Sequence, residues 1–529
     1  MRILIADKLA QEGIDLLSAV DGVEVDQKVG LSEEELSEIV KDYDGMVVRS
    51  GVQVTAKVLE NPGNLRAVAR AGVGVDNIDL VAATAKGVLV MNSAEASTIT
   101  TAEHAFAMLM ALARNIGPAY KRMSEGGWDR NKFVGTQLAG KTLGIVGFGR
   151  IGRTVAERAL AFDMKVLAFD PVMNAEEALG GRVKLYNEFK DMLPELDFIS
   201  FHVPLNDHTR GMLGKETFPL CKPNLKIVNA ARGGVVDIEA LIEALDNEQV
   251  GGAAIDVFEK EPPSEECPLR AHPKVLVTPH LGASTKEAQK AVSLGACEQL
   301  LQYLQGTDLR GAVNAPGVRM DLEPIQRKFV DLVERMAKLI GVVCDDGFKR
   351  LNVALDGEQL VSAAQTLERV ALAKVLAQSI EGVNLVNASP FASERGIQVT
   401  TTIKDEHNPN PRVTLEIETS QKTRTITGSI YSDGNPRILD VDGFHMDVIP
   451  EGSIVVIKND DRPGMIGIVG TTTGEANLNV ADMAISRNDE HAMMVLKVDG
   501  DPSGVIEKLR DCDGILRAES LQFGELTTL

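Results

Sequence analysis

The chain reads as an α/β protein: two doubly wound parallel-sheet domains, then an α+β domain and a small βαββαβ domain. Three observations predict this. Short apolar runs alternate with helix-like stretches from Met1 to about Ser97 and again from Thr142 to Leu281, the pattern of βαβ units around a parallel sheet. The second stretch carries a Gly147-Phe-Gly-Arg-Ile-Gly152 loop between a strand-like and a helix-like run. Beyond Asn314-Ala-Pro-Gly317 the character changes to a helical pair and then Thr-rich alternating strands.

At 529 residues the chain is too long for one core, and roughly 150 residues per domain predicts three or four. The first domain takes 1–97, with strands at Ile3–Ala6, Met46–Val48 and Val88–Met91. Next, Ala102–Arg114 is made of helix formers, apolar nearly all round, which predicts burial on every side and a place at a subunit interface. The second domain spans 98–285. A helix over Lys286–Gln305 returns to the first domain, which is therefore discontinuous (1–97 plus 286–310). The third domain, 311–450, begins with helices over Leu322–Ile340 and Gln359–Ala377 and continues with strands such as Gln398–Ile403 and Arg412–Ile417. From 451 to 529 the order is strand (Ile454–Lys458), helix opened by Pro463, strand, strand (Ala492–Val498), helix (Ser503–Leu509), strand, the split βαβ arrangement.

Fifty-five basic against seventy-six acidic residues leave a net charge of −21, which opposes nucleic acid and anionic membrane as partners. An anionic substrate then needs a local basic pocket. Five scattered cysteines (Cys221, Cys267, Cys297, Cys344, Cys512) point to neither a disulfide framework nor a metal site. The N-terminus has no secretory pattern, and the longest apolar stretch, Ala105–Ala113, is too short to span a bilayer. A soluble cytoplasmic protein is expected.

The glycine loop lies between strand Thr142–Val146 and helix Ile151–Phe162, and the next strand, Lys165–Phe169, ends in Asp170. That spacing is the dinucleotide fingerprint. Gly147, Gly149 and Gly152 let backbone amides approach a pyrophosphate at a helix N-terminus begun by Arg150 and Ile151. Asp170 accepts from the adenosine ribose, and Pro171-Val-Met-Asn174 offers no cation for a 2′-phosphate. NAD is expected, with Asp256 as a further cofactor residue.

Three polar residues follow three apolar strand-like runs: Arg232 after Lys226–Ala230, Glu261 after Ala253–Phe258, and His280 after Val275–Pro279. Carboxyl ends of parallel strands are where such sheets bind ligands, so the three converge on one crevice. Oxidising a 2-hydroxy acid needs a base for the hydroxyl proton, a carboxylate to orient it and a cation for the substrate carboxylate. His280, Glu261 and Arg232 take those roles. His104, His202 and His208 are the rival bases.

With these motifs, residues 1 to about 310 resemble the D-isomer-specific 2-hydroxyacid dehydrogenases, in which Arg, Glu and His in these contexts are catalytic. The whole chain resembles the long branch of that family, which carries two extra C-terminal domains and oxidises 3-phosphoglycerate with NAD in the first step of L-serine synthesis. The resemblance implies that Arg49 and Ser50 of Val47-Val-Arg-Ser50 contact substrate phosphate. It implies that Val73 and Gly74 of Ala71–Asn77 hold the carboxylate through backbone amides. Arg130 and Lys132, in Trp128-Asp-Arg-Asn-Lys132, match a stretch reaching a neighbouring subunit's site. The tail resembles an ACT domain, a sensor that binds amino acids between subunits, which implies an L-serine effector at Asn459, Asp461 and Asn479 and a homo-oligomer, dimer or tetramer. Thr471-Thr-Thr473 departs from its usual apolar helix. In the third domain, an allosteric anion-binding domain by resemblance, Arg437 is the candidate. Two other readings remain open: a different D-2-hydroxyacid dehydrogenase, and a non-catalytic NAD(H)-sensing binding protein.

Overall fold

The computed structural model of the chain describes residues 1–173, 179–343, 347–405, 407–488 and 491–526. Asn174 and Cys344, both used above, lie outside the described residues.

The first sheet is built from β1 (Arg2–Ile5), β2 (Glu24–Gln27), β3 (Gly45–Val48), β4 (Ala67–Arg70) and β5 (Leu89–Asn92), connected through α1 (Gln11–Ser18), α2 (Glu33–Ile39) and α3 (Leu80–Ala85). Its order is β2-β1-β3-β4-β5 and every pairing is parallel. Continuous apolar runs such as Gly45–Val48 are buried throughout, because helices cover both faces of such a sheet.

A long helix, α4 (Thr98–Ala113), leads out through α5 (Ile116–Ser124) to the second sheet. That sheet contains β6 (Thr142–Val146), β7 (Lys165–Phe169), β8 (Lys184–Tyr186), β9 (Phe198–Phe201), β10 (Lys226–Asn229), β11 (Gly252–Ile255) and β12 (Val275–Val277), joined in part by α6 (Arg150–Ala161), α7 (Phe189–Met192) and α8 (Ile238–Asp246). All pairings are parallel in the order β12-β11-β10-β9-β6-β7-β8, so the order reverses at β6 and opens a crevice beyond its carboxyl end. The chain then returns along α9 (Lys286–Leu304), whose Val292, Ala296, Leu300 and Leu304 pack on Ile3, Ile5 and Val47 of the first sheet.

Within one chain, α4 is covered on one face only. Its Ala102, Ala105, Leu109 and Leu112 are buried, but Ile99, Glu103, Ala107 and Met110 form an exposed stripe. Those positions share one helical face, and a single chain covers only the other.

The third domain opens with α10 (Pro324–Val343), β13 (Phe348–Asp356), α11 (Glu358–Val361), α12 (Ala364–Leu376) and α13 (Ala388–Glu394). Its remaining strands are β14 (Gln398–Asp405), β15 (Arg412–Thr419), β16 (Thr423–Ile430), β17 (Pro436–Val441) and β18 (Phe444–Val448). Two features differ from expectation. The second helix is interrupted at Ser362–Ala363, and β13, unforeseen, precedes it and pairs with both β14 and β15. Alternation of Leu351, Val353 and Leu355, all buried, was the signal for β13.

The tail folds as β19 (Gly452–Asp460), α14 (Met465–Glu475), β20 (Asn479–Arg487), β21 (His491–Asp499), α15 (Ser503–Arg510) and β22 (Ile515–Phe523), with sheet order β20-β21-β19-β22. Pro463 precedes the helix rather than opening it, because Gly464 is the N-cap. One sheet face packs on α14 and α15. On the other, Ile454, Val456, Met493, Val495 and Phe523 merge into the core of the third domain. Buried Arg335 on α10 ties the two together by donating to Asp331 and to the carbonyls of Pro450, Gly524 and Glu525.

Candidate active site

β10, β11 and β12 are neighbours and parallel, so the loops after them emerge on one edge of the sheet. That edge carries Arg232, Glu261 and His280. The Nδ1 of His280 stands 2.6 Å from Oε2 of Glu261, whose Oε1 accepts the Phe258 N–H at 3.0 Å. Glu261 is thus fixed by its own loop and fixes the imidazole, leaving Nε2 as the nitrogen available for proton transfer. His280 has φ 55, a left-handed conformation costing a non-glycine residue roughly 1–2 kcal/mol, so its loop must hold it there.

Arg232 donates to Ala231 O at 2.6 Å and, across the cleft, to Asp76 Oδ2 at 3.0 Å. The backbone at Gly74 lies against this guanidinium so closely that a Cβ would collide with it. The Val73–Gly74 loop of one sheet thus meets the arginine of the other, whose flexible end would have to shift for any larger residue at Gly74. Asn92 anchors the same loop through Val73 O, and Ser93 through the Gly72 N–H.

Arg49 follows β3, and its backbone N–H and that of Gly51 both donate to Asp7; Ser50 between them is exposed. Arg70, at the end of β4, was missed by the sequence reading. Burial and the neighbouring Arg232 guanidinium push it down to about 10, with Arg49 adding to the same effect and Asp76 and Asp7 opposing it. Arg49, Arg70 and Arg232 thus form a half-buried cluster of like charge in an otherwise acidic protein, the arrangement an anion site requires. The signal was present: Arg70 stands at a strand's carboxyl end immediately before Ala71–Asn77, the position logic that selected Arg232.

On the cofactor side, Gly147 has φ 90 and leaves no room for a Cβ against His202 O, while a Cβ at Gly152 would strike Gly147 O. Gly149, the N-cap of α6, faces open space. Tight turn, close helix packing and an open amide-lined approach are the three glycine roles of a pyrophosphate loop. Asp170 accepts from the Phe148 N–H at 2.8 Å and the Val172 N–H at 3.0 Å, which holds it beside that loop. Arg150 pairs with Glu95 at 2.7 Å, and Ile151 is half buried against the core. Asp256 is fully buried.

Comparison with known proteins supplies the family. Residues 106–282 match the NAD-binding domain of the D-isomer specific 2-hydroxyacid dehydrogenases, and residues 326–442 match the D-3-phosphoglycerate dehydrogenase intervening domain. The D-3-phosphoglycerate dehydrogenase of Methanocaldococcus jannaschii is 39% identical over 97% of this chain and 98% of its own length. That of Synechocystis is 40% identical over 98% and 94%. The chain belongs to the D-3-phosphoglycerate dehydrogenase family. Among solved structures, the Thermus thermophilus TT0316 protein matches 59% of this chain and 100% of its own with a TM-score of 0.54 and 33% identity. The long-form architecture and an NAD-linked oxidoreductase core follow from this membership.

Within that family frame the rival histidines separate from His280. His202 is half-buried beside the glycine loop, and desolvation pushes its imidazole down to about 4, too weak a base for chemistry near neutrality. His208 sits exposed on a loop, and His104 faces Asp256 at 3.2 Å. No group of described residues has the composition of a metal site, and no helix among them is long and apolar enough to cross a membrane.

Residues linked above to a second chain lie apart from the cleft's own network. Arg130 and Lys132 lie on an exposed short helix beside Trp128, which is 78% exposed, and Lys132 faces Asp129 at 3.9 Å. In the tail, Asp461 faces Arg487 at 3.7 Å and Asn479 donates to Asp499 at 2.7 Å. β19 and β20 are both antiparallel to β21 and hence parallel to each other. Asp461 follows the end of β19 and Asn479 begins β20, so they lie at opposite ends of the sheet, about 30 Å apart at the usual strand rise. Asn459 is buried, and its Oδ1 has no partner among the described residues. Arg437 of the third domain is flanked by Asp433 at 2.8 Å and Asp447 at 3.0 Å.

Proposed function

We propose that this chain oxidises the C2 hydroxyl of D-3-phosphoglycerate with NAD, giving 3-phosphohydroxypyruvate, and that L-serine regulates it through the tail. The single observation that carries the catalytic reading is the Glu261–His280 pair, 2.6 Å apart, on the same cleft edge as Arg232 and its arginine neighbours. Nε2 of His280 takes the hydroxyl proton, and Glu261 stabilises the imidazolium that results. Arg232 and the Val73–Gly74 amides hold the substrate carboxylate and the developing carbonyl. Arg49, Ser50 and Arg70 hold the phosphate. NAD would be held along the Gly147–Gly152 loop and would supply the hydride acceptor for C2, and Asp170 favours it over NADP by repelling a 2′-phosphate.

A substrate panel with purified protein, following nicotinamide absorbance, tests this. Phosphoglycerate with NAD is expected to exceed lactate, glycerate and 2-hydroxyglutarate in kcat/KM. Equal use of NAD and NADP, or preference for an unphosphorylated acid, overturns it.

For regulation, the supporting features are the orphan acceptor on Asn459 and the placement of Asp461 and Asn479. A two-fold-related chain lying alongside would bring one chain's Asn479 to the other's Asp461, so the effector site is between subunits of a homo-oligomer. The exposed stripe of α4 and the exposed Arg130–Lys132 segment are surfaces of the same assembly.

A further inference from the structure

Asp256 ends β11, and its oxygens gather the turn that carries His280. The Asp256 carbonyl accepts the His280 N–H at 2.9 Å. Its carboxylate accepts the Leu281 N–H at 2.8 Å on Oδ1 and the Gly282 N–H at 3.0 Å on Oδ2. Three successive backbone donors therefore point at one residue, and that residue is fully buried. The left-handed backbone of His280 is the conformation this grip imposes.

Two side chains complete the arrangement. The Thr278 hydroxyl donates to Asp256 Oδ1 at 2.5 Å, and Nε2 of His104 stands 3.2 Å from the same oxygen and 3.5 Å from the hydroxyl. Burial, the largest influence on the Asp256 carboxyl, raises it, but the bonds from His104, Thr278 and the Leu281 N–H together outweigh burial and hold it below the usual carboxylate range. Asp256 is thus an ionised, four-donor hub inside the protein. Its neighbour in the chain, Val257, leads directly to Phe258, whose N–H anchors Glu261. Both members of the catalytic pair depend on loops that start from this one residue.

We propose that His104, Thr278 and Asp256 form a positioning network that sets the His280 imidazole against Glu261. The inference rests on His280 being the proton-carrying residue. His104 was first weighed as a rival base; its place on α4, with Nε2 turned to Asp256, makes it a support instead. Asp256, first assigned to the cofactor, acts on this reading through the His280 turn.

The variants Thr278→Val and His104→Leu remove one donor each and keep the bulk, whereas Thr278→Ser and His104→Gln keep a donor in nearly the same place. Full-length protein is assayed for kcat and for KM of NAD and phosphoglycerate, alongside melting temperature and NAD affinity by fluorescence, with His280→Asn as the reference. The Val and Leu variants are expected to lose roughly 10- to 100-fold in kcat, the scale of a small misplacement of a reacting group, with KM for NAD within about two-fold. The Ser and Gln variants are expected to recover most of it. The proposal is overturned if Ser and Gln are no better than Val and Leu, since the network then only packs, or if the loss is confined to NAD affinity, since Asp256 then serves the cofactor. Normal kcat in Val and Leu alongside an inactive His280→Asn also sinks the network and spares the base. An active His280→Asn sinks the base reading and with it the network's catalytic purpose.

Discussion

Glu261 and His280 meet at 2.6 Å within one chain, whereas Asp461 and Asn479, separated by a similar length of sequence, stand at opposite ends of one sheet. Both pairs belong to parallel strands of one sheet, adjacent in the catalytic case and separated by β21 in the tail. The difference is which end of each strand they occupy. The catalytic residues all follow their strands, and loops after parallel strands emerge on a common edge. Asp461 follows β19 but Asn479 opens β20, and a helix carries the chain from one edge to the other between them. On the proposed reading, the catalytic residues are therefore assembled by the fold of one chain, while effector recognition needs a second copy.

The largest expected effect breaks the catalytic half of that contrast. His280→Asn should lower kcat by about 10²- to 10⁴-fold, the usual contribution of a positioned acid–base group, with NAD binding retained. Glu261→Gln should be milder, because it orients the ring without carrying the proton. Near-normal turnover in His280→Asn would place the base elsewhere.

His202 is the contrasting histidine, half-buried and neutral beside the glycine loop. Its folded pKa of about 4 lies below the unfolded 6.5, so the unfolded chain binds more protons between these values and stability falls as pH drops from 6.5 towards 4. The loss amounts to about 3 kcal/mol when complete. Melting temperature measured from pH 7.5 to 4.5 should fall more steeply in the parent than in His202→Gln. Parallel curves would show that another group controls the acid limb.

Arg49→Ala and Arg70→Ala should each raise KM for phosphoglycerate by about 10- to 100-fold, since a charged hydrogen bond to phosphate is worth roughly 1.5–3 kcal/mol, and should alter KM for an unphosphorylated 2-hydroxy acid much less. Initial rates on both substrates decide it. Equal loss on the two would return these arginines to a structural role.

Legibility follows the same contrast. The fold of the first two domains could be read because parallel strands buried on both faces announce themselves as uninterrupted apolar runs; Thr142–Val146 and Lys165–Phe169 match β6 and β7 residue for residue. The strand at Phe348–Asp356 was lost because its Lys349, Arg350 and Asn352 face outward and mask the alternation. Arg70 shares its strand-end position with Arg232, but its significance lies in Arg49 at the end of the adjacent strand and Arg232 across the cleft, both distant in sequence. For α4, apolar composition gave the extent of burial but does not say whether the second partner is this chain or another. What a sequence shows least is where residues meet across domains or across subunits.

The last expected effect tests the half of the contrast that, on the proposed reading, one chain cannot assemble. If the effector site lies between subunits, L-serine has an ammonium for Asp461 of one chain, while its carboxylate takes the Asn479 amide of the other, so its binding biases how two tails sit against each other. The tail shares a core with the third domain and is tied to it by Arg335, which gives the bias a route into the rest of the chain. Coupling of this kind is worth about 1–3 kcal/mol, a change of roughly 5- to 150-fold in apparent affinity at most. Serine should therefore inhibit the parent, and Asn479→Ala should abolish the inhibition while leaving turnover without serine unchanged. Mixing Asp461→Ala with Asn479→Ala chains sharpens the point, because a mixed dimer retains one intact site where each pure variant has none. Partial recovery of serine response in the mixture supports a site between chains. A flat titration in the parent, with no calorimetric serine binding, would reduce the tail to an assembly module.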